Sequence, residues 1–263
     1  MFAMDRTKTG VMAQASVAWG TQCGDLSWPD SAAFISVNVN NEARFIVLKL
    51  YGFAVSNYFN MVRMALAAKG IEYEEVTLFP SQDEDWLAKS PMGKVPCLET
   101  PEGSLAETAV IIEYLDEAYP GHPLLPGNAF ERARIRQMMH VLEKYIELPA
   151  RRLFPGVFFG GQNAELTVEE VKPVLEKGAR SVASLATMNP YLMGESPTAA
   201  DYMAMYSLDL AAAVAKSVYE WDLLADIPGS AELLARLADN PNAQRFDQEK
   251  QAQMAAFLSK ARG

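Results

Sequence analysis

Apolar and polar positions fall into three regimes along this chain. Through residues 1–46, short apolar runs such as Val11-Met12-Ala13 lie scattered among Gly, Ser, Asn and Asp, and neither a two-residue nor a 3.6-residue period is sustained. From residue 47 to about 119, strand and helix patterns alternate, which predicts an α/β layer with parallel pairing. Within it Ile111, Tyr114, Leu115 and Ala118 recur at i, i+3, i+4 and i+7, the stripe of a helix packed on a sheet. Pro120-Gly121-His122-Pro123-Leu124-Leu125-Pro126-Gly127 then breaks every period and reads as a linker. Beyond it no strand pattern returns. Ile135, Met138, Met139, Leu142 and Ile146 mark a long amphipathic helix that Pro149 is expected to kink or end. Thr198, with Asp201 three residues on, caps a run rich in Ala, Met and Tyr, the pattern of a helix buried on most sides. The expected organisation is an extension over 1–46, an α/β domain over 47–119, a linker over 120–128 and an all-helical domain over 129–263.

Composition narrows the classes of function. Half of the 263 residues are hydrophobic, enough for a substantial core, and a net charge of −10 argues against nucleic acid or an anionic membrane surface as partner. No apolar run reaches the ~20 residues that span a bilayer. Arg6 and Lys8 precede an apolar stretch that Gln14 and Ser16 interrupt, which argues against a secretory leader. Two cysteines, Cys23 and Cys97, make no disulfide framework and point to a reducing compartment, the cytoplasm. His122 and His140 have no partners at metal-ligand spacing, so no metal is expected.

The chemistry gathers around two short segments. In Ser90-Pro91-Met92-Gly93-Lys94-Val95-Pro96-Cys97-Leu98, a proline heads an apolar run, where it cannot serve a central ladder and belongs to a strand start or a turn. A cis Val95–Pro96 bond there would turn the Val95 N–H and C=O outward to pair with an extended peptide. An ordinary proline-bounded loop is the other reading. Further upstream, Ser56 and Asn57 suit a helix N-cap, where unpaired N–H groups and the macrodipole favour an anion. A plain cap without chemical duty fits the spacing equally well. Cys97, by strand alternation, points into the core.

These segments and their order resemble the cytosolic glutathione transferases over nearly all of residues 47–263. Leu48-Lys49-Leu50-Tyr51-Gly52-Phe53 looks like the family's first strand, Ser56 to Gly70 its first helix, Ile71-Glu72-Tyr73-Glu74-Glu75-Val76 its second strand and Ser-Pro-Met-Gly-Lys-Val-Pro its third. Glu107-Thr108 matches the acidic pair opening the third helix, and Thr198-Ala199-Ala200-Asp201-Tyr202 the capping box of the buried sixth. The resemblance implies a thioredoxin-like N-terminal domain followed by an all-α C-terminal domain, a two-fold homodimer and conjugation of glutathione to small electrophiles. It places Ser56 at the position of the serine in theta-like and zeta-like members, while the tyrosine of the tyrosine-type classes falls on Gly52. Tyr51 is one residue off and turned to the other face. Asn57 and Tyr58 are alternates for the sulfur contact. Glu107 would hold the α-amino group of glutathione, Thr108 and its neighbouring N–H groups the γ-glutamyl carboxylate, Val95 and Pro96 the backbone of the extended tripeptide, and Lys94, with Gln82 as a weaker candidate, the glycine carboxylate. Arg136, Tyr145, Arg151, Arg152, Phe154, Phe158 and Phe159 are available to line the electrophile pocket. Two other activities share the fold: glutathione-dependent disulfide or peroxide reduction, and a non-enzymatic binding role of the starvation-protein type. Since the family commonly starts where Val47 stands, and a GUG codon initiates as methionine, residues 1–46 are expected to be a disordered extension or to lie upstream of the native start.

Overall fold

Four strands form one mixed sheet in the order β2-β1-β3-β4, in a computed structural model that describes residues 48–261. The expectation for residues 1–46 lies outside the described residues. In β1 (Leu48–Gly52) Leu48 and Leu50 face the main core, while Lys49 and Tyr51 are turned to the other side. Helix α1 (Asn57–Lys69) carries the chain over to β2 (Tyr73–Thr77), which runs parallel to β1. Ser56 caps α1, and Gly70, at φ +66, closes it in the left-handed conformation that glycine adopts without strain. A short α2 (Glu84–Leu87) precedes β3 (Cys97–Thr100), which pairs antiparallel with β1 and with β4 (Gly103–Ala106).

Among the described residues, parallel pairing therefore holds for one strand pair alone. Thr100 pairs directly with Gly103, so β3 and β4 are joined by a two-residue turn, which allows no other orientation. The sequence expectation for the third strand also shifts: Ser90 to Pro96 forms turns, and the strand starts at Cys97. Helix α3 (Thr108–Ala118) follows β4 and buries Ile111, Ile112 and Leu115, while Tyr114 is half-buried and Ala118 exposed. Helices α1 and α3 share one core with the Leu48, Leu50 and Leu98 face of the sheet. Tyr51, Phe53, Leu78, Trp86, Val95 and Cys97 make a smaller cluster.

The linker is tied down rather than loose. Asp116 accepts from Leu124 N (2.7 Å) and Leu125 N (3.1 Å) and pairs with the buried Lys69 ammonium (3.2 Å). Both leucines are buried, and Leu124 O accepts from Ala199 N (2.9 Å). The remaining elements are helical: α4 (Ala129–Leu142), α5 (Leu148–Arg151), α6 (Phe154–Phe158), α7 (Glu165–Leu185), α8 (Ala199–Tyr219), a 3-10 turn (Leu224–Asp226), α9 (Ser230–Ala238) and α10 (Pro241–Ala261). Helix α8 is buried along most of its length. Asp201 at its start is fully buried, accepting from Thr198 N, Thr198 Oγ1 and Leu192 N at 2.8, 2.8 and 2.7 Å.

Pro149 does not end the helix in which it stands. A π-helical turn (Glu143–Glu147) joins α4 to α5, with Leu148 N bonded to Glu143 O five residues back. Pro149 then falls in the first turn of α5, where a missing N–H breaks no ladder. The carbonyl four residues before Pro149, on Tyr145, lies against Gly178 of α7. A Cβ on Gly178 would stand 2.4 Å from that oxygen. Replacing Gly178 by alanine must push α7 off the π turn, so Gly178→Ala should lower unfolding free energy by about 1–3 kcal/mol. Urea titration measures it, and an unchanged midpoint would show that the two helices have room to spare.

Candidate functional site

Strand register brings the candidate residues to one end of the sheet. Tyr51 pairs with Cys97 and Cys97 with Ala106, so the exit of β1, the entry of β3 and the exit of β4 lie side by side. The segments just beyond them are the 53–56 loop with Ser56, the cis Val95–Pro96 peptide, and Glu107-Thr108. These three segments therefore lie next to one another.

At the first segment the chain turns tightly from β1 into α1. Ser56 N donates to Phe53 O (2.9 Å), Asn60 Nδ2 to Ala54 O (2.7 Å), and Ser56 Oγ accepts from Phe59 N (3.4 Å). Capping uses an oxygen lone pair, so the Ser56 hydroxyl proton is left for a ligand. A Cβ on Gly52 would collide with the Phe59 ring at 2.1 Å, so the position expected to align with the tyrosine of the tyrosine-type classes has no room for a side chain. Asn57, expected as an alternate sulfur donor, instead commits both amide protons to the helical half, giving one to Glu147 Oε1 (3.3 Å) and one to the carbonyl of Tyr206 (3.1 Å). Tyr58 lies under the Arg151 guanidinium, 4.7 Å from its ring centroid, with a buried hydroxyl that has no partner among the described residues. Burial and the nearby Glu147 carboxylate push that phenol well above its ordinary pKa, so it stays protonated. Tyr51 is engaged elsewhere, its hydroxyl donating to Glu99 Oε2 (2.8 Å) and accepting from Lys89 Nζ (3.0 Å).

Glu107 carries a signal the sequence did not give. Its φ of +71 is sparsely populated for a residue with a Cβ, and its side chain is exposed and caps nothing. The buried Thr108 opens α3 directly after it. Lys94 is exposed, without an ion-pair partner among the described residues, in a turn held by Ser90 Oγ donating to its carbonyl (2.8 Å). Beside it Gly93, at φ +65, lets the 81–82 segment approach so closely that a Cβ would meet Gln82 Nε2 at 2.3 Å. Lys94 and Gln82 thus neighbour one another.

The helical half contributes residues that periodicity did not reveal. Glu143, Glu147 and Arg151 follow one another at i, i+4 and i+8 on the π turn and α5. Glu147 is fully buried and its Oε1 accepts from Arg151 Nε (2.9 Å) and Nη2 (2.6 Å) as well as from Asn57. Burial raises its carboxyl pKa against the opposing pull of Arg151. Burial also raises that of Glu143, helped by the Glu107 charge, while His140 and Lys94 act the other way. Of the residues expected to line a second pocket, Arg151 and Phe154 stack with each other (5.1 Å) beside Tyr58. Arg136 and Arg152 are paired with Glu113 (2.9 Å) and Glu170 (2.6 Å). Phe158 and Phe159 are exposed. Among the described residues no three His, Cys, Asp or Glu side chains gather as metal ligands would, and no helix is long and apolar enough to cross a membrane.

Comparison with known proteins yields one family. Residues 50–123 match the family described as glutathione S-transferase, N-terminal domain. A glutathione S-transferase of Pseudomonas putida is 43% identical over 216 residues, covering 82% of this chain and 98% of the relative. Glutathione S-transferase Z1 of Arabidopsis thaliana is 40% identical over 99 residues, 36% of this chain and 45% of that protein. Among solved structures, a glutathione S-transferase from Rhodospirillum rubrum F11 superimposes with a TM-score of 0.61 at 27% identity, over 76% of this chain and 91% of that one.

Cys97 is fully buried, donates weakly to Lys89 O (3.6 Å), and has its thiol pushed up to about 11 by burial. At about pH 8 some 0.1% of it would be thiolate, against roughly a quarter for a free cysteine. Iodoacetamide should therefore leave Cys97 unmodified in the native protein and label it in denaturant, as peptide mass mapping will read. Rapid labelling of the native protein would contradict this placement.

Proposed function

The chain belongs to the glutathione S-transferases and is an enzyme of that activity, and we propose that it activates the glutathione sulfur through Ser56 for attack on small electrophiles. The observation carrying this reading is the register of the sheet, which brings the segments of Ser56, Val95–Pro96 and Glu107-Thr108 to one end of its strands. Glutathione would lie across that end in extended form. The Val95 N–H and C=O, beside the cis Pro96, pair with the cysteinyl backbone by strand addition. Glu107 takes the α-amino group; the γ-glutamyl carboxylate sits on Thr108 and the first N–H groups of α3. Lys94, with Gln82 beside it, receives the glycine carboxylate.

In this arrangement the Ser56 hydroxyl donates to the sulfur, at the positive end of α1. Asn57 is a clamp between the halves, and Tyr58, protonated and buried under Arg151, forms the floor of the electrophile site, which we assign to Tyr58, Arg151 and Phe154. The thiol proton passes to water, the thiolate forms a carbon–sulfur bond, and the electrophile's displaced electron pair leaves with a leaving group or moves onto a conjugated acceptor. With Cys97 buried, no described cysteine stands at the sulfur position, so the reacting sulfur is that of glutathione. We further assign the glutathione domain to 47–119 and the helical domain to 129–263, joined by 120–128, in a cytoplasmic homodimer serving detoxification.

A free thiol of pKa about 8.5 is ~3% ionised at pH 7, and lowering it by about two units raises the thiolate to roughly three quarters, a gain of about 25-fold. Two units are about 2.7 kcal/mol, within reach of a charge-assisted hydrogen bond at a helix N-terminus. Ser56→Ala should lower turnover of chlorodinitrobenzene by about ten- to thirtyfold at neutral pH, with the loss shrinking above about pH 9. A ratio independent of pH would reject thiolate stabilisation by Ser56.

A further inference from the structure

A single peptide unit in the loop before Ser56 is gripped at both ends. Its carbonyl, Ala54 O, accepts from Asn60 Nδ2 at 2.7 Å, and its N–H, on Val55, donates to Gln253 Oε1 of α10 at 3.1 Å. The two grips share an origin. Glu249 lies one helical turn before Gln253 on the same face of α10 and takes Nη2 of Arg63. Arg63 Nη1 in turn donates to Asn60 Oδ1 (3.2 Å), the amide whose other end holds Ala54 O. Phe246, two turns before Gln253, sits against the Arg63 guanidinium at 3.8 Å and seats the helix. Helix α10 thus reaches the loop twice, directly through Gln253 and by relay through Glu249, Arg63 and Asn60.

We propose that Gln253 is a positioning residue for the thiol-activating loop, acting through the 54–55 peptide on the placement of Ser56 Oγ. The proposal rests on the Ser56 reading above. The orientation of that peptide fixes ψ of Ala54 and φ of Val55, and Ser56 follows immediately. Its N–H is not used within the loop, whose own turn bond is Ser56 N to Phe53 O. Without an acceptor on α10 the peptide is held at the carbonyl alone and can swing about it, carrying Ser56 with it. A displacement of a few tenths of an ångström weakens a donor aimed at sulfur, whereas glutathione contacts at Glu107, Thr108 and Val95 lie on other segments.

The test uses the whole protein with Gln253→Met, similar in length and helix propensity but without an acceptor, and Gln253→Glu, which keeps one. Three quantities are read: Val55 amide hydrogen exchange, the ionisation of bound glutathione followed by thiolate absorbance against pH, and chlorodinitrobenzene turnover. In Gln253→Met, Val55 exchange should accelerate about tenfold or more, the bound thiol should titrate higher, and kcat near neutral pH should fall about fivefold with KM for glutathione nearly unchanged. Gln253→Glu should restore the slow exchange. Loss of thermal stability with an unshifted thiol titration would reduce Gln253 to a packing residue and overturn the proposal, as would unchanged Val55 exchange. A wild type that binds glutathione without lowering its thiol pKa fails before any variant is compared; that outcome overturns the Ser56 reading and this proposal with it.

Discussion

A guanidinium sealed away from water sets the terms for the rest of this molecule. Arg63 is 1% exposed, and a cation so placed is tolerated only if its donors are met and its charge is offset. Three elements supply that: Glu75 of β2 at 2.8 Å, Glu249 of α10, and Asn60 one turn earlier on α1, with the Phe59 and Phe246 rings against the guanidinium. Both carboxylates are partly exposed, so the pairs hold their geometry without a second buried ion to desolvate. The consequence is topological. Helix α1 cannot rotate or slide without leaving Arg63 unpaired, and α1 carries at its N-terminus Ser56, where we propose the sulfur site.

A second polar junction faces the helical half. Asn57 joins Glu147 and the Tyr206 carbonyl, and Glu147 holds Arg151, so the first turn of α1 is fixed to the π turn, α5 and α8. The π turn explains how a proline and a buried carboxylate share one short stretch. It shifts the hydrogen-bond ladder by one residue ahead of Pro149 and keeps Glu147 turned inward. Gly178, lacking a side chain, lets the Tyr145 carbonyl approach α7 at close range. Backbone irregularity on one helix and a missing side chain on the next are parts of a single packing solution.

Local rules were legible in the sequence, and long-range polar pairing was not. The limits of α1 follow from Ser56 and Gly70, and the capping of α8 from Thr198 and Asp201, because each depends on residues a turn apart. The linker followed from its prolines, but its anchorage on Asp116 did not. Arg63 sits in the run Met61-Val62-Arg63-Met64, where a single charge passes for a solvated face; its partners lie 12 and 186 residues away. Glu147 was hidden in the same way inside an amphipathic pattern. Asn57 suited a cap as well as Ser56 did, and only the fold shows that its amide faces the helices. The positive φ of Glu107 has no signature in residue type, since a glutamate there is held by the elements on either side.

The 198-residue separation between Val55 and Gln253 also has a meaning in time. At about 5–20 residues per second of synthesis, the loop is made about 10–40 s before the helix that grips it. Throughout that interval the sheet can form and one end of it can meet the cell's thiol pool, yet the N–H of Val55 has no acceptor on α10 and Arg63 lacks one of its two carboxylates. A nascent chain on the ribosome thus holds the 54–55 peptide by the Asn60 grip alone until α10 emerges and supplies the second.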